Sequence, residues 1–450
     1  MQQIISPDEA ARLDRESPIP VSVLMERAGA AVALEAVRMG VGYGSRVIAL
    51  AGVGNNGGDA YVAARYLRDR GVFVAVHSLG EPRTSEATAA RDQAAARGVG
   101  IESLGSPVMA DLVIDGLFGG GFRPGLPEAV TEWMRSGQRV LAIDIPSGVD
   151  PRDGTVEGEA FVAGRTVTFD YRKVGHVLGA GPDHCGTITV APIGLGASRP
   201  VLKLVEAEDA PLPSRQRQAH KWSAGSVLVV GGAEGMTGAA TMAGKAALAF
   251  GAGAVGVAVP DEATATATAH APELLHYSLD SLPDRYGSLI IGPGLGPDHD
   301  ELARKLIESW EGSLVVDADA LRLVTDRHQG NVVVTPHVGE FRRMAGVEPT
   351  ASAAADLARR LNGVVVLKGN PTIITEGEVP WVVERGGPEL ATIGTGDVLA
   401  GMIGALLAAG LDPLAAARSA TYWHGVAGSA LAAKTTVTAM GLISEIGRYR

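Results

Sequence analysis

Short β-branched runs alternate along this chain with Ala- and Leu-rich stretches of helical period. In the first half the apolar runs fall at 46–51, 72–76, 111–115, 139–144, 165–169 and 187–190. Between them, segments such as 60–70 and 86–97 place Ala, Leu and Arg at helical spacing. The second half repeats the pattern with runs at 226–230, 255–259, 288–291, 313–316, 331–334, 364–367 and 372–375. Strands alternating with helices predict βαβ units, that is, α/β sheets with helices on both faces. Two such series predict two three-layer domains.

Residues 206–218 carry two prolines and no apolar period, as a linker does. The expected boundaries are therefore domains at 1–205 and 219–450. The two halves share no motif, which points to a fusion rather than a duplication. At 450 residues the chain exceeds one ordinary core, in line with two domains. Sixty glycines against 4% aromatics suggest tight turns and helices packed through small side chains.

A net charge of −11, with no Lys/Arg run, argues against a nucleic-acid partner. The single cysteine, Cys185, leaves no internal disulfide and no thiolate cluster for zinc. Residues 1–12 include Asp8 and Glu9 and lack the apolar core of a signal peptide. The apolar stretch 398–410 is too short to span a bilayer and reads as a buried helix. A cytoplasmic protein without a membrane partner is expected.

The strand ending at Ala51 enters a glycine turn in which Gly52, Gly54 and Gly57 satisfy G-x-G-x-x-G. That pattern alone suggests a dinucleotide loop. Asn55 and Asn56 add amide dipoles, however, and Asp59 puts a carboxylate where a phosphate would sit. Asp59 is expected to cap a helix beginning at Ala60. Two further strands end in carboxylates followed by glycine turns, at Asp115 and at Asp144. Ligands of open α/β sheets bind outside the carboxyl ends of the strands. Asn56, Asp115 and Ser147 can thus converge as oxygen ligands, one carboxylate with neutral oxygens suiting a monovalent or weakly held ion. Gly119, Gly120 and Gly121, with Arg123, offer donors to a diphosphate. Each Asp alone would read as a turn cap; three such strand ends in one half favour a site.

These motifs, Asn55-Asn-Gly-Gly-Asp59, Asp115-x-x-x-Gly-x-Gly121 and Asp144-Ile-Pro-Ser-Gly-Val-Asp150, resemble the YjeF N-terminal family of NAD(P)HX epimerases. The resemblance covers approximately residues 1–200 and departs from the family at Ala60, where Gly is usual. It implies a Rossmann-like sheet and contacts to the hydrated dinucleotide from Asn55, Asn56, Gly57, Gly58 and Asp59. It extends those contacts to Gly119, Gly120, Gly121, Phe122, Arg123, Pro124 and Gly125, with Asp144 beside the damaged ring. It also implies potassium on Asn56, Asp115 and Ser147. Asp144 is the candidate acid–base group, or else it orders the ion's surroundings. Lys173 is a further candidate.

In the second half, the strand 226–230 leads into Gly231-Gly-Ala-Glu-Gly-Met-Thr-Gly238, a glycine loop without the Gly-Lys-Ser/Thr ending of a P-loop. Gly292-Pro-Gly-Leu-Gly296, Asp317-Ala-Asp319 and Thr335-Pro-His337 also fall at strand ends. Most informative is Thr392-Ile-Gly-Thr-Gly-Asp397 ahead of an apolar helix. The amides of Gly394, Thr395 and Gly396 would point with the helix dipole at one spot, beside the Asp397 carboxylate. Donors for phosphoryl charge next to a base for a hydroxyl are what phosphoryl transfer to an alcohol requires. Lys368-Gly-Asn-Pro-Thr372 adds a cation and a turn.

Gly-x-Gly-Asp at a helix start, preceded by Thr-Pro-His and Leu-Lys-Gly, resembles the ribokinase-like superfamily. Within it, Gly231-Gly232, Gly292–Gly296, Thr335-Pro-His337, Leu367-Lys-Gly-Asn370 and Thr395-Gly-Asp-Val-Leu-Ala-Gly401 are most similar to the ADP-dependent NAD(P)HX dehydratases. Trp222, Val338 and the run from Gly386 to Ala391 depart from that pattern. The resemblance implies that Ala239, Gly294, Gly296, His337 and Asp397 line the hydrated substrate. It implies that Lys368, Gly369, Asn370, Pro371, Thr372 and Gly396 hold the nucleotide. ADP as co-substrate is implied by the resemblance alone, and Mg2+ is expected on its diphosphate.

The implied activity is repair of hydrated NAD(P)H: epimerisation of its R and S forms, then ADP-dependent dehydration of the S form. NADHX or NADPHX would be the substrate, and a homo-oligomer is expected. The alternative is a small-alcohol or vitamin kinase with an accessory dinucleotide-binding domain, separable by asking whether phosphate release from ADP depends on the hydrate. A dinucleotide-sensing binding protein would bind without turnover, and Asp397 argues against it.

Overall fold

A computed structural model describes residues 2–122, 125–215, 217–325, 327–328 and 331–450. The chain forms two compact units, Gln2–Leu202 and Lys203–Arg450.

The first unit is built on a seven-stranded, all-parallel sheet in the order Gly100–Ser103, Phe73–Ser78, Arg46–Ala51, Leu112–Gly116, Val140–Ile143, Arg165–Phe169, Thr187–Ala191. Period-two alternation sends Val47, Ala49 and Ala51 into one core and Ile48 and Leu50 into another on the opposite face. Both faces are thus covered. Strand order reverses between Arg46–Ala51 and Leu112–Gly116, and the crevice at this switch point receives the two loops of the candidate site. The short edge strand Gly100–Ser103 and the pair Gln2–Ile5/Arg172–Lys173 are too brief or too polar to stand out in the sequence.

The helix after the first central strand starts earlier than the sequence suggests. It spans Asn55–Arg68 with Gly54 as its N-cap, so Asp59 lies in its second turn and caps nothing. The reason is steric. A Cβ on Gly57 would sit 1.9 Å from the Gly52 carbonyl oxygen, and one on Gly52 would sit 1.8 Å from that of Leu117. Glycine at both positions lets helix, strand end and neighbouring loop close directly on one another.

In the second unit the strands Leu275–Ser278, Ala254–Val259, Ser226–Val230, Ser288–Ile291, Ser313–Val316, Val332–Val334 and Val364–Leu367 run parallel in that order. Thr372–Thr375 and Trp381–Val383 continue the sheet antiparallel, and Leu202–Leu204 pairs with the last of these. Val227 and Val229 face one core, Leu228 and Val230 the other. Helices Thr237–Ala249 and Thr395–Ala408 lie on the first of these faces. Gly401 brings them together, since a Cβ there would meet the Ala243 carbonyl oxygen at 2.2 Å. The segment between the halves is packed rather than loose: Ala210 is buried and its carbonyl accepts from Trp423 Nε1 at 3.0 Å. Among the described residues no helix is long and apolar enough to cross a membrane.

Candidate active sites

At the switch point of the first sheet, Asp115 ends its strand fully buried. One carboxylate oxygen accepts from Ser147 Oγ at 2.7 Å and the other from Ser147 N–H at 2.7 Å. Phe118 N–H donates to Ser147 Oγ at 3.1 Å, while Asn56 Nδ2 donates to the Phe118 and Ile143 carbonyls at 3.0 and 3.2 Å. The three sequence-predicted ion ligands are therefore laced together through Phe118. Burial pushes the Asp115 carboxyl up to about 6 despite its hydrogen bonds from Ser147 and Leu117. All its bonded partners are neutral, and a monovalent cation would supply the missing charge; this donor set fits such an ion.

Asp144 follows its strand with φ of 67°, a left-handed conformation unusual for a side chain with a Cβ. The bend turns its carboxylate back over the sheet. Oδ1 pairs with Lys173 Nζ and accepts from Thr168 Oγ1 at 3.0 Å; Oδ2 accepts from Gly120 N–H at 3.2 Å. The Asp144 carbonyl accepts from His176 Nε2 at 2.7 Å. Burial opposes its charge, but Lys173, with help from His176 and Thr168, holds the carboxyl below the usual aspartate range. Burial and the Lys173 charge keep His176 neutral, at about 4.

Other predicted residues are distributed unevenly. Gly119 lies against both Asn56 and Asp144. Asn55 is turned away, its Oδ1 accepting from Thr84 at 3.0 Å. Gly57, Gly58 and Asp59 are buried in the helix start, and Phe122 is buried against Phe118. Gly121 and Gly125 are exposed. Arg123 and Pro124 lie outside the described residues. Thr168, His176 and Asp14 escaped the sequence reading. The first looks like any strand threonine, and the others sit in no recognised motif.

In the second unit the loops after the strands flanking the switch point clasp each other. Gly232 and Ala233 N–H donate to the Pro293 and Gly294 carbonyls at 2.9 and 2.6 Å. Ala239 and Gly294 meet here, a Cβ on the glycine falling 3.1 Å from that of Ala239. Gly296 N–H donates to Asp319 Oδ2 at 3.0 Å. Beside them Asp317, buried, accepts from Thr335 Oγ1 at 2.7 Å and pairs with Lys368 Nζ at 2.8 Å. Lys368 Nζ also borders Gly396, 3.4 Å from where a Cβ would stand.

Asp397 occupies the first turn of Thr395–Ala408, half-buried and without a hydrogen bond among the described residues. Burial, reinforced by Asp317 and Asp319 and opposed by Lys368, lifts its carboxyl to about 7. That suits a base working near neutrality. Burial works against the Lys368 charge, but Asp317, Glu340 and Asp397 together hold it above the usual lysine range. The expected row of free amides is one shorter than the sequence suggests, because Thr395 N–H turns back to the Thr392 carbonyl at 3.3 Å. His337 has a structural task as well: its Nδ1 accepts from Gly339 and Glu340 N–H at 2.9 and 3.4 Å, capping the helix Val338–Ala345. Only Nε2 remains to meet a ligand, and it faces Glu340 at 3.4 Å. Gly369 and Asn370 are exposed on the turn after Lys368, which a cis Asn370–Pro371 bond closes, with Thr372 Oγ1 donating to the Gly369 carbonyl at 3.1 Å.

Both units resemble known proteins. A family profile described as NAD(P)H-hydrate dehydratase matches residues 227–448, and one described as YjeF-related protein N-terminus matches residues 21–175. The chain is 35% identical over 475 residues to the bifunctional NAD(P)H-hydrate repair enzyme of Pyrobaculum aerophilum, covering 96% of this chain and 94% of that one. It is 36% identical over 504 residues to that of Moorella thermoacetica, covering 97% and 94%. Among solved structures, the ADP/ATP-dependent NAD(P)H-hydrate dehydratase of Bacillus subtilis, co-crystallised with ATP and Mg2+, matches at 31% identity and a TM-score of 0.50, over 53% of this chain and 94% of that one. A ribokinase-like protein of Enterococcus faecalis matches in fold at 24% identity and a TM-score of 0.52, over 55% of this chain and 95% of that one. With this near-full-length likeness, the chain belongs to the family of bifunctional NAD(P)H-hydrate repair enzymes.

Proposed function

We propose that the protein restores hydrated NAD(P)H in two steps, one in each unit. The first unit interconverts the R and S forms of the hydrate. The second removes water from the S form at the expense of ADP, giving AMP and phosphate. The observation that carries the reading is Asp397: a carboxylate with no hydrogen bond among the described residues, lifted to about 7 and set in a helix's first turn beside Lys368 and Gly396.

In the dehydration step Asp397 takes the proton of the ring hydroxyl as that oxygen attacks the terminal phosphoryl group. The attack breaks the bond between the terminal phosphoryl and AMP; the phosphate then leaves the ring carbon far more readily than hydroxide would, the neighbouring ring carbon gives up a proton, and the dihydropyridine returns. Lys368 and the N–H groups of Gly396 and Asp397 stabilise the charge that develops on phosphorus-bound oxygens. Ala239, Gly294, Gly296 and His337 border the substrate, while Gly369, Asn370, Pro371 and Thr372 hold the nucleotide. Mg2+ is assigned to the diphosphate, where it would neutralise charge.

In the first unit Asn56, Asp115 and Ser147 would hold a potassium ion, whose charge balances the buried carboxylate and orders the loop at Phe118. Asp144, fixed by Lys173, Thr168 and Gly120, is assigned to proton transfer at the hydrated carbon. The test is to incubate the protein with mixed hydrate epimers and ADP and follow the return of reduced-cofactor absorbance. Both epimers should be consumed; conversion of the S form alone would leave the first unit without its task. Phosphate release from ADP that is independent of the hydrate would favour the small-alcohol kinase instead.

A further inference from the structure

A hydrated dinucleotide carries a diphosphate, and the surroundings of Asp397 offer that anion little. Lys368, which borders the same turn, is already paired with Asp317 at 2.8 Å. Next to Gly296 and His337 the balance changes. A cavity of about 480 Å³ opens there, lined by Asp319, Glu340, Arg322, Arg343 and Arg360 among others, and its size is that of a small-ligand site. It is built onto both residues. Asp319 Oδ2 accepts from Gly296 N–H at 3.0 Å, and Arg322 Nη2 donates to the Gly296 carbonyl at 3.3 Å. Glu340 Oε2 accepts from His337 N–H at 2.8 Å. The Arg343 guanidinium and the His337 ring both come within 4 Å of one point, where a Cβ on Gly339 would stand.

The ion pairs around the cavity are selective. Helices Val338–Ala345 and Ala351–Leu361 each carry two adjacent arginines. Arg342 pairs with Glu348 at 2.8 Å, and Arg359 pairs with Asp356. Their neighbours have no carboxylate. Arg343 makes no hydrogen bond or ion pair among the described residues, and Arg360 donates to the neutral Met344 carbonyl at 2.9 Å. The two arginines left without a carboxylate are the two that line the cavity. Arg322 is matched by Asp300. Asp319 and Glu340 each give an oxygen to a backbone N–H of the site. In a chain of net charge −11, two guanidinium forks facing one cavity without counter-charges suit a phosphate group.

We infer that this cavity holds the diphosphate of the hydrated dinucleotide, with Arg343 and Arg360 as its partners; this rests on the dehydratase reading of the second unit. A single ribose separates the diphosphate from the damaged ring, so the residues that border the ring and those that hold the diphosphate must adjoin. They do so at Gly296 and at His337. The co-substrate has a different seat. Its phosphates are assigned to the turn after Val364–Leu367, whereas the cavity is lined by the segments after Ser313–Val316 and Val332–Val334 and by Arg360. The diphosphate is common to NADHX and NADPHX, so the two arginines serve both substrates alike.

The experiment measures dehydration of purified S-NADHX and S-NADPHX by the full chain at saturating ADP. Arg343→Gln and Arg360→Gln should each raise KM for the hydrate about 10-fold, as the loss of a charged hydrogen bond does. The factor should be the same for both hydrates, with kcat and the KM for ADP unmoved. Both side chains are exposed, so the variants should fold, and their melting midpoints check this. Arg342→Gln and Arg359→Gln remove the same charge one residue away and should leave the hydrate KM as it was. An unchanged hydrate KM in the double Arg343→Gln, Arg360→Gln protein overturns the inference. So does a rise in the KM for ADP instead, a loss confined to NADPHX, or an equal rise in the two neighbouring variants. If the unaltered protein fails to dehydrate the S hydrate, the dehydratase reading fails instead, and the two failures are told apart.

Discussion

His424 Nε2 donates to the carbonyl oxygen of Thr395 across 2.9 Å, from the helix Pro413–Ala432 to the turn that carries Asp397 two residues later. The imidazole is buried, and burial holds it down at about 4 despite the carbonyl that favours its charged form. The histidine is thus a neutral strut beneath the turn that carries Asp397. From the sequence it reads as an ordinary packed residue.

Because His424 titrates lower in the folded chain than its free value of 6.5, the unfolded chain binds the proton more tightly. Its contribution is complete above about 6.5 and is lost as pH falls towards 4, by about 3 kcal/mol for a shift of this size. His424→Gln should flatten this part of the stability–pH curve of the second unit, read by thermal or denaturant melting between pH 7 and 4. A curve as steep as that of the unaltered protein would deny His424 this part.

Asp397→Asn should abolish ADP-dependent dehydration of the S hydrate and leave epimer interconversion intact. In the unaltered protein the dehydration rate should rise with pH through about 7, since the base works only after losing its proton. Steady-state rates from pH 5.5 to 8.5 check both statements. A variant that dehydrates at a near-normal rate removes Asp397 from the chemistry.

Lys173→Met should destabilise the first unit by about 3–5 kcal/mol, because it strands the buried Asp144 carboxylate. Adding Asp144→Asn to it should recover part of that loss, so the double change costs less than the sum. Denaturant melts of the three variants supply the cycle. Strict additivity would mean that the pair is not coupled.

Replacing potassium with a bulky organic cation should slow epimerisation and leave dehydration as it was. Ser147→Ala removes the hydroxyl bonded to Asp115 and should weaken the potassium response roughly 10-fold or more. Titrating potassium while following the epimer ratio measures this. A cation-independent rate in the unaltered protein would remove the ion from the scheme.

Gly401→Ala should cost the second unit about 1–3 kcal/mol, since its Cβ would sit 2.2 Å from the Ala243 carbonyl oxygen and force two core helices apart. Melting of the variant reads this directly. An unchanged midpoint would show that the helices have room to spare.

Local pattern was sufficient for the central strands. Arg46–Ala51, Ser226–Val230, Ser288–Ile291 and Val364–Leu367 are apolar almost throughout because both faces of each sheet are covered, and burial on both sides leaves no polar alternation to misread. Edge strands such as Gly100–Ser103 and Leu275–Ser278 lack that signal, being half solvated. Motif spacing likewise drew attention to Asp115, Asp144, Lys368 and Asp397, since each lies at a strand end or helix start, where glycine turns fall.

What the chain by itself decided, then, is which residues end the strands and which turns can approach a ligand. The folded structure alone decided who stands opposite whom. Lys173 reaches Asp144 across 29 positions, and Lys368 reaches Asp317 across 51. Asp59 lies in the second turn of its helix rather than at its cap because that helix starts five residues early, and His424 became a strut only because two helices meet. Protonation depends on burial and on charges brought near by folding, and neither is a property of neighbours along the chain.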